Sequence, residues 1–322
     1  LEEDIIAAYR KIRSVLLRDF HFENDQPVAV SVAIIAYNVE KYIKEAIESA
    51  LNQEVNFRVE IVIGEDCSTD NTREILLDYQ KLYPSIIRLL LPEKNQGLTP
   101  NSVATQNACR GIYIALLDGD DYWTSPQKLS FQYQFMQSNV EYSACGHQSE
   151  IIYDDVIGED RPFGKDIDED LAMLDMITHR KFHTSSLFFR REYWVKTGGI
   201  PTTISSNERA IYPMLAIYGK IRYMKESMCI YRRSKIGLSN RLQYKDLETD
   251  YAMLPWLRAI DKNFPYYRFK SFLHLCNYTY PSKLPIGALL WHFLNFAIFS
   301  FSYFPRNMGD LKWGVIFLFD RK

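Results

Sequence analysis

Apolar and polar positions change period several times along this chain, and each change marks an element. Over residues 3–20, Ile5, Ile6, Tyr9, Ile12, Val15 and Leu16 recur at helical spacing with charges on the other face, which predicts an amphipathic N-terminal helix. Val28 to Ala36 is almost continuously apolar and β-branched, the pattern of a strand buried on both faces. Asn38 is placed to cap a following helix, in which Tyr42, Ile43, Ala46, Ile47, Ala50 and Leu51 form one stripe. The pattern then predicts a strand over Val59 to Ile63, a helix over Thr69 to Tyr83 and a strand over Ile86 to Leu91. A helix over Pro100 to Arg110 and a strand over Tyr113 to Leu117 follow. Strands alternating with helices at this spacing imply a mostly parallel sheet with crossover helices, an α/β fold.

After Trp123 the alternation loosens. A helix is expected near Lys128 to Ser138, a polar acidic loop over Asp154 to Asp170, and a strand over Ser185 to Arg190. A helix over Asn207 to Tyr218 and a short strand over Ile221 to Tyr223 come next, and beyond Arg241 the pattern is helical. This divides the chain into an N-terminal helix (1–27), an α/β domain (28–240, with halves 28–125 and 126–240) and an aromatic-rich helical region (241–322).

Residues 284–304 hold no Asp, Glu, Lys or Arg, and that length just suffices to span a bilayer. Pro285, Asn295, Ser300 and Ser302 dilute it. The expectation is therefore a helix at a membrane interface, anchored by Trp291, Tyr303 and Trp313, with Lys283, Arg306 and Lys312 near the head groups. A buried helical hairpin is the other reading.

Composition narrows the function classes. The 322 residues carry a net charge of −2, which leaves no electrostatic footprint for nucleic acid. Five scattered cysteines without CxxC spacing argue against a disulfide framework or a zinc knuckle and fit a reducing compartment. Charged residues interrupt residues 1–26, so no secretory signal is expected there and a cytoplasmic location is.

The candidate chemistry sits at strand ends. Asp118-Gly119-Asp120-Asp121 follows the apolar run Tyr113–Leu117 directly. Like charges gathered at the end of a buried strand repel unless a cation offsets them, so a metal site at the sheet's carboxyl edge is one reading and a solvated turn the other. The second strand ends in Glu65-Asp66-Cys67-Ser68-Thr69-Asp70, where Asp66 can face a nucleobase or ribose and Asp70 can cap the next helix. A calcium loop fails there, because Leu77 stands where a bidentate Glu is needed. Asn95-Gln96-Gly97 forms a tight loop before a helix N-terminus, suited to backbone contact with a ligand or serving only as a turn.

Five blocks in order resemble the motifs of family 2 glycosyltransferases. They are Ser31–Asn38, Ala46–Gln53, Glu65–Asp70, Asn95–Gly97 and Asp118–Trp123, and the resemblance covers residues 28–140 and thins toward residue 240. It implies a GT-A type fold with a Rossmann-like half and inverting transfer from a nucleotide-sugar donor, UDP-linked in the first instance, with Mg²⁺ or Mn²⁺. By that resemblance the Ala36 backbone and Tyr37 flank the base, Asp66 hydrogen-bonds it, and Asn95 belongs to the donor loop. Asp118 lies near the ribose and donor sugar, Asp120 binds the metal, and Asp121 contacts the donor or fixes the loop. Glu208 matches the family's general base, where Asp is usual; its other reading is a first-turn residue satisfying the helix dipole. Arg232 matches the Tyr-Arg segment, Ser234 stands where His is common, and Arg232, Arg233 or Lys235 can instead pair with phosphate.

His183-Thr184-Ser185-Ser186 offers hydroxyls for an acceptor pocket, or is a plain edge strand. The expected acceptor is a glycan or lipid-linked saccharide in surface-polysaccharide synthesis, at the inner face of the cell membrane. A sugar-phosphate nucleotidyltransferase would need a Gly-rich basic loop after the first strand, where Ala36-Tyr37-Asn38-Val39-Glu40 stands instead. A nucleotide-sugar-binding or membrane scaffold protein that has lost catalysis is the alternative.

Overall fold

The computed structural model describes residues 15–19, 26–178, 180–235, 237, 244–279 and 286–301. Among these, eight strands make the central sheet: β1 (Val30–Ala36), β2 (Val59–Glu65), β3 (Ile87–Leu90), β4 (Tyr113–Asp118), β5 (Tyr142–His147), β6 (Glu169–Leu171), β7 (Phe188–Arg190) and β8 (Lys220–Met224). Their spatial order is β6-β8-β5-β7-β4-β1-β2-β3. β4, β1, β2 and β3 run parallel, as the alternation predicts. β7 enters antiparallel between β4 and β5, β8 runs parallel to β5, and β6 closes the edge antiparallel to β8.

Helices α1 (Ile43–Leu51), α2 (Thr72–Leu82) and α3 (Leu98–Ala108) connect the parallel strands. α4 (Lys128–Ser138) and α5 (Asn207–Tyr218) match their predicted bounds. Both sheet faces are covered, which is why the strands read as unbroken apolar runs. Val30, Val32 and Ile34 meet Ile43, Ile47 and Leu51 of α1 and Leu129 and Met136 of α4 in one core. Ala33, Val62, Ile114 and Leu116 face the other core with Val103, Ile211, Leu215 and the C-terminal helices.

Several expectations need correction. Asn38 does not cap α1. It sits at φ +54°, where Asn is better tolerated than most side chains, and its Oδ1 accepts from the Thr69 N–H at 2.8 Å. Its own N–H donates to Ser68 Oγ at 2.9 Å, so Asn38 ties two strand-end loops together. The stretch read as an acidic loop contains β6 and the strand Arg161–Phe163. Each has three residues at a sheet edge, too short and too exposed to show a period. The latter belongs to a small second sheet ordered Arg161–Phe163, Ser149–Tyr153, Cys229–Arg233, Tyr122–Trp123.

Of the predicted N-terminal helix, residues 3–14 and 20 lie outside the described residues. Val15–Leu16 pair with Glu54–Val55 as a two-stranded ribbon, and Leu17–Asp19 form one 3-10 turn with Leu17 in the core. The pairing fixes extended backbone where periodicity alone suggests helix.

At the other end, α6 (Tyr266–Thr279) packs on α7 (Ile286–Phe301). Phe296 of α7 is buried and its carbonyl accepts from Ser271 Oγ at 3.2 Å. The charge-free stretch is thus partly a packed hairpin, and no helix among the described residues is long and apolar enough to cross a membrane.

Candidate active site

The register of β1 aligns three strand ends. Ala36 pairs with Glu65 of β2, and Ile35 pairs with Asp118 of β4. Strand order reverses between β1 and β4, which opens a crevice at their carboxyl ends. The crevice is a cleft of about 390 Å³, within the range of ligand pockets. Ala36, Tyr37, Asp66, Asn95, Asp118, Asp120, Asp121, Glu208 and Arg232 all line it. These nine residues, read from the sequence as donor, metal or base positions, are therefore brought to one place.

The acidic loop is held from three sides. A Cβ on Gly119 would stand 2.7 Å from Ile35 O, so only glycine lets the loop return against β1, where its N–H donates to that carbonyl at 3.0 Å. Ser185 Oγ accepts the Asp118 N–H at 3.1 Å and donates to Asp121 Oδ2 at 2.5 Å. The Arg232 N–H donates to Asp121 Oδ1 at 2.8 Å. Asp121 is buried, so of its two expected roles the loop-fixing one describes its contacts.

Proximity makes these carboxylates hard to ionise together. Burial, then the charges of Asp120 and Glu208, push Asp118 up to about 7, against the pull of Arg180. Burial raises Asp120 as well, and burial with the Asp120 and Asp118 charges holds Asp121 well above the usual carboxylate range. An added cation relieves this repulsion.

A cation has ligands here. Asp118, Asp121 and His183 each present a ligand atom within 4.8 Å of the others. His183 Nδ1 lies 3.2 Å from Asp121 Oδ2, and the ring stacks on Tyr231 with centroids 3.9 Å apart. Burial, then the charges of Arg180 and Arg233, keeps the imidazole neutral, the form that ligates a metal. His183 Nδ1 accepts the Ser185 N–H at 3.3 Å, and a divalent ion beside this group would offset the Asp118 and Asp121 charge. Asp120, the ligand expected from sequence, lines the same cleft but is not in this group.

The nucleotide-side residues form a second layer. Asp66 Oδ1 accepts from the Gln96 N–H at 2.6 Å, and Oδ2 accepts from the Gly97 N–H at 2.9 Å and Asn95 Nδ2 at 3.0 Å. Gly97 holds φ +91°, a left-handed value that turns its N–H toward the carboxylate. Asp66 thus anchors the Asn95–Gly97 loop while keeping an acceptor position open to the cleft. The N-cap position of α2 falls on Asn71, which makes no side-chain cap; Asp70, one residue earlier, accepts the Thr72 N–H at 3.0 Å through Oδ1. Tyr37 stays exposed at the cleft mouth.

On the far side, Glu208 sits in the first turn of α5 and faces the cleft. Arg180 also faces it, its guanidinium lying over the Phe163 and Tyr231 rings at 5.1 and 5.6 Å. Sequence reasoning passed over Arg180 and gave His183 no metal role; no spacing links either to the acidic loop. Arg232 lines the cleft and also makes contacts the sequence does not announce. Its Nε donates to Asp120 O at 3.0 Å, and its NH2 group pairs with Glu45 at 2.5 Å, so the guanidinium braces the acidic loop from outside. Ser234 is buried and does not line the cleft.

Comparison with known proteins shows the family and the fold. The family described as Glycosyl transferase family 2 matches residues 31–200. A protein of Mycobacterium tuberculosis without an assigned activity is 32% identical over 209 residues, 65% of this chain and 60% of that protein. The matched region thus falls short of the relative's full length. Staphylococcus aureus TarS (residues 1–349, with UDP-GlcNAc) superposes with a TM-score of 0.64 at 16% identity, covering 84% of this chain and 80% of that one. The Pyrobaculum calidifontis mannosyltransferase PcManGT, in complex with GDP-Man and Mn²⁺, gives a TM-score of 0.56 at 16% identity over 99% of this chain and 87% of its own. At those identities the two structures speak for the fold.

Proposed function

The chain belongs to glycosyl transferase family 2, and from that premise we propose that it moves a sugar from a nucleotide-sugar, a UDP-sugar first among them, to a glycan or lipid-linked saccharide with inversion. The observation that carries this reading is the cleft in which Asp66, Asp118, Asp120, Asp121 and Glu208 meet at the β1/β4 switch point. Tyr37 and Asp66 serve the base, and Asp118 faces the ribose and donor sugar. Asp118, Asp121 and His183 would hold Mg²⁺ or Mn²⁺, with Asp120 beside them. A bound divalent ion offsets the charge that appears on the departing nucleoside diphosphate. Arg180 adds a fixed cation on the same side of the cleft.

Glu208 takes the proton from the acceptor hydroxyl. It lies across the cleft from the donor strands, and its charge is felt at Asp118. The polysaccharide role and a place at the inner face of the cell membrane belong to this proposal, supported by the charge-free stretch at residues 284–304.

Calorimetric titration with UDP, with Mn²⁺ and then with EDTA, tests it. Metal-dependent UDP binding supports the nucleotide site. Binding of GDP in place of UDP changes the donor, and binding of neither, nor of dTDP, overturns the reading. Donor binding without transfer to any acceptor would leave a nucleotide-sugar-binding protein.

A further inference from the structure

One face of α7 has no partner among the described residues. Leu290, Trp291, Leu294 and Ile298 are each more than half exposed, at the spacing of a single helix face. Their neighbours His292 and Phe296 on the opposite face are buried. Isolated exposed apolar residues are ordinary, but four in register on one helix mark a contact surface. Ile286–Phe301 carries no Asp, Glu, Lys or Arg that would favour leaving the stripe in water.

Length and charge choose the occupant. The sixteen described residues of α7 give about 24 Å against a hydrocarbon core of roughly 30 Å, and one of their faces packs on α6, which favours a helix lying along a surface. Residues 253–322 hold nine Lys and Arg against three Asp and Glu, a net of +6 in a chain whose total is −2. Among the described residues, Lys270 Nζ lies 4.6 Å over the Phe299 ring of α7, and Lys262 is exposed just before α6. A second copy would bring like charge against like charge. An anionic bilayer complements both the charge and the stripe.

We propose that α7 docks flat on anionic lipid, with Leu290, Trp291, Leu294 and Ile298 entering the head-group boundary and the basic groups of the C-terminal region holding the lipid phosphates. This rests on the peripheral-membrane part of the reading above and is independent of the chemistry in the cleft.

Flotation of the full chain with phosphatidylcholine vesicles, with and without phosphatidylglycerol, tests it. Binding is expected only with the anionic vesicles and should weaken as salt rises. The double variant Leu290→Ser/Leu294→Ser should lower partitioning by about tenfold or more. Both positions are exposed, so its circular dichroism spectrum should match the parent's. Lys262→Glu should cause a smaller loss. Absence of flotation, equal binding to neutral vesicles, or no effect of the double variant would overturn the proposal. So would a dimer by light scattering that the double variant dissociates, since that assigns the stripe to a second copy. Nucleotide binding without flotation removes this surface alone, and flotation without nucleotide binding removes the transferase reading alone.

Discussion

The Asp250 carboxylate accepts the Ser206 N–H at 3.0 Å, one residue before the helix that carries Glu208. The same Oδ1 accepts from the Ser205 N–H and Oγ at 3.0 and 3.1 Å, and Oδ2 pairs with Arg209 at 2.9 Å. The C-terminal helical region therefore sets the angle at which α5 enters the cleft. Asp250→Ala strands the Arg209 charge and two backbone donors, at a cost on the order of 3 kcal/mol, visible as a lowered Tm. Asp250→Asn keeps an acceptor and should fold. Its kcat should fall about tenfold while nucleotide affinity holds, because only the base has moved. A change confined to nucleotide affinity would refute the positioning role.

Glu208→Gln separates binding from chemistry. The amide keeps the size of the side chain and cannot take a proton. Donor affinity should stay within about twofold, and turnover should fall by about a hundredfold or more. Near-normal turnover would move the base to another carboxylate, with Asp118 next in line because it is pushed up to about 7.

His183→Ala and Asp120→Ala test where the cation sits. If Asp118, Asp121 and His183 hold it, His183→Ala should weaken Mn²⁺-dependent UDP binding by about tenfold or more, the scale of a lost ligand or its support. Asp120→Ala should then weaken it less. The reverse order would return the metal to Asp120. EDTA should erase the difference between parent and variants in either case.

The acidic loop was legible in the sequence because its residues are contiguous and follow an apolar strand. Asp66 and Tyr37 were legible for the same reason: parallel strands in register bring their carboxyl ends level, so sequence position translates into place. His183 and Arg180 were not. They reach the cleft through β7, a three-residue strand inserted antiparallel between β4 and β5, and no local pattern announces that insertion. Arg232 was legible as a cleft residue, but its pairing with Glu45 was not, since Glu45 comes from a helix 187 residues earlier. The Asp250 clamp was invisible because a single Asp in a helical region reads as surface charge until its burial is known.

Lys128 gives a prediction about stability and its pH dependence. It opens α4, yet its Nζ is buried without a hydrogen-bond partner, 4.0 Å over the Trp123 ring. Trp123 Nε1 donates in turn to Ser185 O at 2.9 Å, so this lysine lies beneath the acidic loop. Burial pulls its ammonium from 10.5 down to about 7, with Cys229 and Cys145 opposing. The folded value is the lower one, so between about pH 7 and 10 the unfolded chain binds a proton that the folded chain does not. The destabilisation is therefore complete below about pH 7 and fades as pH rises toward the unfolded value. Lys128→Met keeps the volume and the contact with Trp123 but removes the charge. It should raise Tm at pH 7 by several degrees, and the gap to the parent should narrow steadily up to pH 10. Thermal melts of the two proteins across that range check it: a gap that stays constant with pH would mean that the buried ammonium does not titrate there.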